Sequence, residues 1–183
     1  MNVVIANRQR TKKINARLLE QIVGGLFAEL KITDAELGIN LVGAREMTLV
    51  NETFLQHEGS TDVITFDHAD AGRARHSVRA DKRGKMPASS KTPGGAHGVT
   101  RPTLHGELFV CVDEAVLQAK QFGTSWQSEV VRYVVHGVLH LLGHDDLRAA
   151  ARRTMKRAEN RLVRLLAKRF SLAQLSGAVK LGA

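Results

Sequence analysis

Residues 134–146 read VVHGVLHLLGHDD, an apolar run that carries three histidines, two glycines and two aspartates. Imidazoles and carboxylates inside an apolar segment are costly unless something binds them. An α-helix turns about 100° per residue, so His136 and His140, at i and i+4, project from one face a single turn apart and can reach one ion. Gly143 is the type of residue that ends a helix, and a reversal there brings Asp146 back toward the two imidazoles. The pattern H-x-x-x-H-x-x-G-x-x-D has the ligand spacing of the long zinc motif H-E-x-x-H-x-x-G-x-x-H, with Asp146 in the third place and Gly137 where the proteases carry glutamate. That glutamate is their general base. Its absence points to a zinc-type site and away from peptide hydrolysis by that route. A bare HxxxH pair is as often a packed pair of histidines as a ligand pair. The added glycine and carboxylate at matching spacing favour ligation here. His144 competes for the third position, because it would share the His136/His140 face if the helix ran on past Gly143. Imidazole-rich ligation favours one zinc ion, although nickel or copper would bind the same set.

The elements that must hold these residues are legible from periodicity. Residues 2–6 read as a strand, and Asn15 caps a helix over 16–30 whose Leu18, Ile22, Leu26 and Leu30 form an i+4 stripe. ELGINLVG offers a second strand, AREMTLVNETFLQ a second helix and TDVITF a third strand. GELFVCV reads as a strand, DEAVLQAKQF as a helix stopped by Gly123, and Thr124-x-x-Gln127 as the capping box that starts the helix of the histidines. A last long helix sets Met155, Leu162 and Leu165 on one side and arginines on the other. The order βαβαβ, loop, βααα predicts a single α+β domain in two or three layers, with a small mixed four-stranded sheet packed by helices and the metal site at the end of a central helix.

The chain has 183 residues, enough for one domain with a real core and no need of a structural metal. Its single Cys111 sits in the apolar run LFVCV, reads as a buried small hydrophobe, and allows no disulfide within the chain, which suits a reducing cytosol. The N-terminus has no signal-peptide pattern and no segment approaches the roughly 18 apolar residues of a membrane span, so a cytoplasmic protein without membrane attachment is expected. Lys and Arg total 27 against 18 Asp and Glu, a net charge of +9. The sequence pI is about 10.2, which calls for a polyanionic partner.

The charge is clustered. Residues 72–101 hold eight Lys or Arg against Asp81 alone, and residues 67–104 contain all three prolines with no sustained periodicity, so they read as a basic loop inserted between strands. A second cluster, Arg148, Arg152, Arg153, Lys156, Arg157, Arg161, Arg164, Lys168 and Arg169, follows the histidine motif and is interrupted only by Glu159. Aromatic residues are few, at 4%. Contacts to a nucleic acid are therefore expected to run mainly to its backbone and to be sensitive to salt.

At HGVLHLLGHDD the sequence resembles the YbeY family of metal-dependent endoribonucleases, ribosomal RNA maturation factors whose signature is H-G-x-L-H-L-x-G-[YH]-D-H. Asn51, TDVITF at 61–66 and GELFVCVDEAV at 106–116 resemble the family's other blocks in the same order, and Met155 and Glu159 sit where its following helix has Met and Glu. The resemblance implies a YbeY-like domain over 1–170, carrying the insertion at 67–104, followed by a tail at 171–183. It also implies a zinc-dependent, single-strand-specific endoribonuclease acting in ribosomal RNA processing, with RNA and the small ribosomal subunit as partners. Two departures stand out. Asp146 replaces the family's third histidine, and Leu55 replaces an arginine thought to serve catalysis, for which His57 or cations of the insertion are the available substitutes. The loss at Leu55 motivates a second reading, a ribosome-assembly or RNA-binding factor whose metal only organises the core. No catalytic residue beyond the ligands His136, His140 and Asp146 follows from the sequence.

Overall fold

The computed structural model describes residues 1–68, 74–75 and 103–177. Most of the basic insertion therefore lies outside the described residues. Among the described residues five strands form one mixed sheet in the order β1-β2-β5-β3-β4: β1 (Asn2–Asn7), β2 (Asp34–Val42), β3 (Val63–Asp67), β4 (Ala74–Arg75) and β5 (Thr103–Cys111). β1, β2 and β5 run parallel, while β3 pairs antiparallel with β5. The four longer strands are those expected from alternating and apolar runs. The two-residue β4, antiparallel to β3, lies inside the segment read as a loop, where too few residues show any period to mark a strand.

α1 (Ala16–Glu29) is capped by Asn15, whose side chain accepts from the Leu18 amide. Its buried stripe is Leu19, Ile22, Val23, Leu26 and Phe27, rotated slightly from the expected one so that Leu18 and Leu30 lie at its margin. α2 (Ala44–Val50) continues into a π-helical turn at Asn51–Leu55, and α3 (Val112–Phe122) ends at Gly123 in the left-handed region, φ +65°. α4 (Trp126–Leu141) is the central helix, and α5 (Ala149–Arg169) packs against it. The cap of α4 is Ser125, accepting from the Ser128 amide, one residue later than the capping box suggests. Thr124 instead donates its hydroxyl to the buried Glu129. On α5 the buried face is Met155, Glu159, Leu162, Val163 and Leu166; Leu165, expected on that face, is exposed among the basic side chains because Leu166, at i+4 from Leu162, takes the inward position. Past α5 a short turn at Leu172–Leu175 buries Leu175, and Ser176 forms a bridge with Ile14.

The main core lies between the sheet and helices α1, α4 and α5. α4 is apolar nearly all round, burying Val130, Val131, Val134, Val135, Val138 and Leu139, as a helix enclosed by other elements must. Two glycines set its distance from the sheet. A Cβ on Gly137 would lie 2.6 Å from a Leu108 methyl, and one on Gly106 would lie 2.7 Å from the Phe66 carbonyl oxygen and 2.6 Å from a Leu141 methyl. A smaller cluster around Met47, Ile64 and Cys111 packs α2 against the sheet, and burial pushes the Cys111 thiol above its ordinary range, in keeping with an apolar role.

Candidate metal centre

Gly143 decides where α4 stops. Its φ is +85°, its amide donates to the His140 carbonyl and the next amide, His144, donates to that of Leu139. This pair of bonds is the Schellman arrangement, in which the left-handed residue closes the helix and turns the chain back. The reversal carries the His144 side chain outward to solvent and returns Asp146 to a buried position. Asp145 then holds the turn, its carboxylate accepting from the Leu147 amide at 2.8 Å, while Arg152 donates to the Asp146 carbonyl oxygen at 3.0 Å.

His136, His140 and Asp146 are brought together as expected, each offering a donor atom within 4.8 Å of the others. Gly137 faces Leu108 and Thr65 of the sheet, so a protease-like glutamate at that position would meet core side chains.

The hydrogen bonds around the imidazoles fix how they present themselves. His136 Nδ1 lies 3.0 Å from a Glu159 carboxylate oxygen, and His140 Nδ1 lies 3.1 Å from the His144 carbonyl oxygen. Both partners accept, so both Nδ1 atoms donate, and with both rings neutral the two Nε2 lone pairs face one another across 3.1 Å. A cation between them turns that repulsion into ligation. Two nitrogens on a tetrahedral zinc with ordinary bond lengths lie about 3.3 Å apart, so the spacing already fits. Burial, then the neighbouring His136, lowers the His140 pKa, outweighing the opposite pull of Asp146 and the His144 carbonyl. His140 is thereby kept in the neutral form that binds metal.

Glu159 anchors the other side. It is 2% exposed, and burial alone would raise its pKa; hydrogen bonds from His136, Lys156 and Arg132 outweigh that and hold it at about 2. Arg132 also donates to Asn160 at 2.8 Å and pairs with Glu129. The resemblance gives Glu159 a place but no role, and it does not point to Arg132. Its signal was available, since Arg132 stands one helical turn before His136 and shares its face.

The endoribonuclease YbeY family model matches residues 4–167. This chain belongs to the YbeY endoribonuclease family. Among its relatives are proteins named endoribonuclease YbeY from Salinibacter ruber, 33% identical with 82% of each chain covered, and from Geobacter metallireducens, 27% identical over 91% of this chain and 96% of the relative. The YbeY relative from Myxococcus xanthus is 30% identical over 81% of this chain, which spans only 42% of that longer protein. The fold is also that of TM1509 from Thermotoga maritima, whose solution structure aligns over the full length of both chains with a TM-score of 0.56 at 18% identity.

Within the YbeY frame, the two departures have different structural consequences. Asp146 delivers a carboxylate where the family signature has histidine, and the group still closes. Leu55 is 7% exposed and packs with Met47, Val50 and Ile64, so nothing at position 55 faces solvent as an arginine would. His57 is exposed on the following loop. Asn51 is buried and its side-chain amide donates to the Gly59 carbonyl oxygen at 2.8 Å, which ties that loop to α2.

Proposed function

We propose that the protein is a zinc-dependent endoribonuclease that cuts single-stranded RNA in ribosomal RNA processing, with His136, His140 and Asp146 as the metal ligands. The observation that carries this reading is the pair of imidazoles whose Nδ1 atoms are both engaged and whose Nε2 atoms converge at 3.1 Å beside a buried carboxylate. Three protein ligands leave a fourth position open, the arrangement of catalytic rather than structural zinc. A zinc bound there supplies Lewis acidity toward a phosphodiester oxygen and a nucleophile at neutral pH. The chain's own residues orient and insulate the site: Glu159 fixes the tautomer of His136, the His144 carbonyl fixes that of His140, and Arg132 with Lys156 keeps Glu159 ionised. The net charge of +9 suits an RNA partner, and the small ribosomal subunit is the natural source of that RNA for a member of this family. A cytoplasmic location agrees with the single cysteine, Cys111, which allows no disulfide within the chain. Among the described residues no helix is long and apolar enough to cross a membrane.

One observation favours a second reading, an RNA-binding ribosome-assembly factor with a structural metal: the residue replacing the family's arginine, Leu55, is buried in a side cluster. RNA cleavage by protein freed of contaminating nuclease separates the two. The endoribonuclease reading expects zinc-loaded wild type to cut single-stranded RNA and His140→Ala to leave it intact. Binding without cutting by the zinc-loaded wild type would establish the second reading instead.

A further inference from the structure

The inward face of α5 serves the metal centre through Glu159, and its outward face has no such duty. Arg153, Arg157, Arg161, Arg164 and Lys168 recur at intervals of three or four residues, which places them within an arc of about 80° along about 22 Å of helix. All five are exposed. Arg161 pairs with Glu29 of α1 at 2.9 Å, whereas Arg157, Arg164 and Lys168 make no ion pair with any described residue. Arg157, Asn160, Arg161, Arg164, Leu165 and Lys168 line one shallow open groove on this face. Like charges packed this closely repel one another, and a polyanion laid along them removes that cost.

We infer that the outer face of α5 is a docking track for the RNA backbone on one side of the cleavage site, holding successive phosphates in the groove lined by Arg157, Arg164 and Lys168. The inference rests on the RNA-cleaving reading for its choice of polyanion. Asn160 joins the two faces, because it both accepts from Arg132, which holds Glu159 beneath the metal centre, and lines the groove. A strand leaving the centre thus meets Lys156 and Asn160 before the stripe. RNA fits this surface better than a lipid bilayer does, since Leu165 is the one exposed large apolar side chain on it and an interfacial helix needs an apolar face. Repeated cations along a line match a repeated anion, and arginine offers the fork geometry that phosphate oxygens accept.

The test is binding of a labelled, mixed-sequence single-stranded RNA oligonucleotide to the zinc-loaded full chain across a range of salt. The triple variant Arg157→Gln/Arg164→Gln/Lys168→Gln is expected to bind more weakly. Its slope of log affinity against log salt should be shallower by about 2, from about 0.7 per lost phosphate contact. Zinc content and thermal midpoint are expected to stay at wild-type values. Arg157→Lys/Arg164→Lys keeps the charge and should keep the slope. If the triple variant fails to fold, Lys168→Gln alone should still lower the slope by about 0.7. An unchanged slope and affinity would overturn the proposal, as would loss of the slope in the lysine variant. So would unchanged RNA binding accompanied by lost binding to phosphatidylglycerol vesicles, which would make this a membrane-facing surface. Cleavage is read separately with His140→Ala, so a protein that does not cut RNA but shows the expected change of slope refutes the nuclease reading and leaves the track standing.

Discussion

A histidine presents Nε2 to a metal only when Nδ1 keeps the proton, and for His136 that choice rests with Glu159 on the next helix, 3.0 Å away. Glu159→Gln keeps the shape but turns a charged acceptor into an amide that can flip. Zinc affinity should fall about 10- to 100-fold, measured by competition with a chromophoric chelator. Wild-type affinity in that variant would show that the carboxylate does not orient the ligand. The same residue links stability to acid. With its pKa held at about 2 against an ordinary 4.5, Glu159 contributes stability that is complete above pH 4.5 and is lost as pH falls toward 2, about 3 kcal/mol in all. In metal-free protein, the gap in unfolding free energy between wild type and Glu159→Gln should therefore narrow on moving from pH 7 to pH 3; a gap that stays constant would mean the carboxylate is not held ionised by its neighbours.

Elements place these residues, and two glycines govern how. Gly137 lets α4 lie against β5, and Gly137→Ala drives a methyl into Leu108 deep in the core. Overpacking of this kind costs about 1–3 kcal/mol. Because α4 also carries both histidines, the variant should lose zinc affinity along with thermal stability, and wild-type stability would show that Leu108 yields without cost. Gly143 works through backbone conformation, with φ at +85° and open space around its Cα. Gly143→Ala should cost about 1 kcal/mol in chemical unfolding and loosen the turn that brings the His144 carbonyl to His140. No loss of either stability or metal affinity would mean that the turn is held by Asp145 and Arg152 instead.

At the scale of the whole molecule, what the sequence disclosed follows from which signals are local. The pair His136/His140, the stop at Gly143 and the return of Asp146 depend on helical period and on one glycine, and all three came together as spacing requires. The four longer strands and the five helices were readable because each has its own apolar period. The cap of α4 lies one residue beyond the one its sequence suggests, because Thr124 and Ser125 are both good caps and only the buried Glu129 decides between them. The burial of Leu166 in place of Leu165 depends on how α5 packs against α1 and α4, which no single helix encodes. Lys156 reaches Glu159 at i+3 on α5, but Arg132 of α4 joins Glu159 and Asn160 across 27 and 28 positions, a pairing that helical period alone does not reveal. The identity of the third ligand is where local and global signals meet. The most direct test is therefore the zinc content of purified wild type, His144→Ala and Asp146→Ala, measured by mass spectrometry of the metal. The expected result is stoichiometric zinc in wild type and His144→Ala and its loss in Asp146→Ala. Zinc retained by Asp146→Ala and lost from His144→Ala would contradict it, and would place the metal on a continuous three-histidine face.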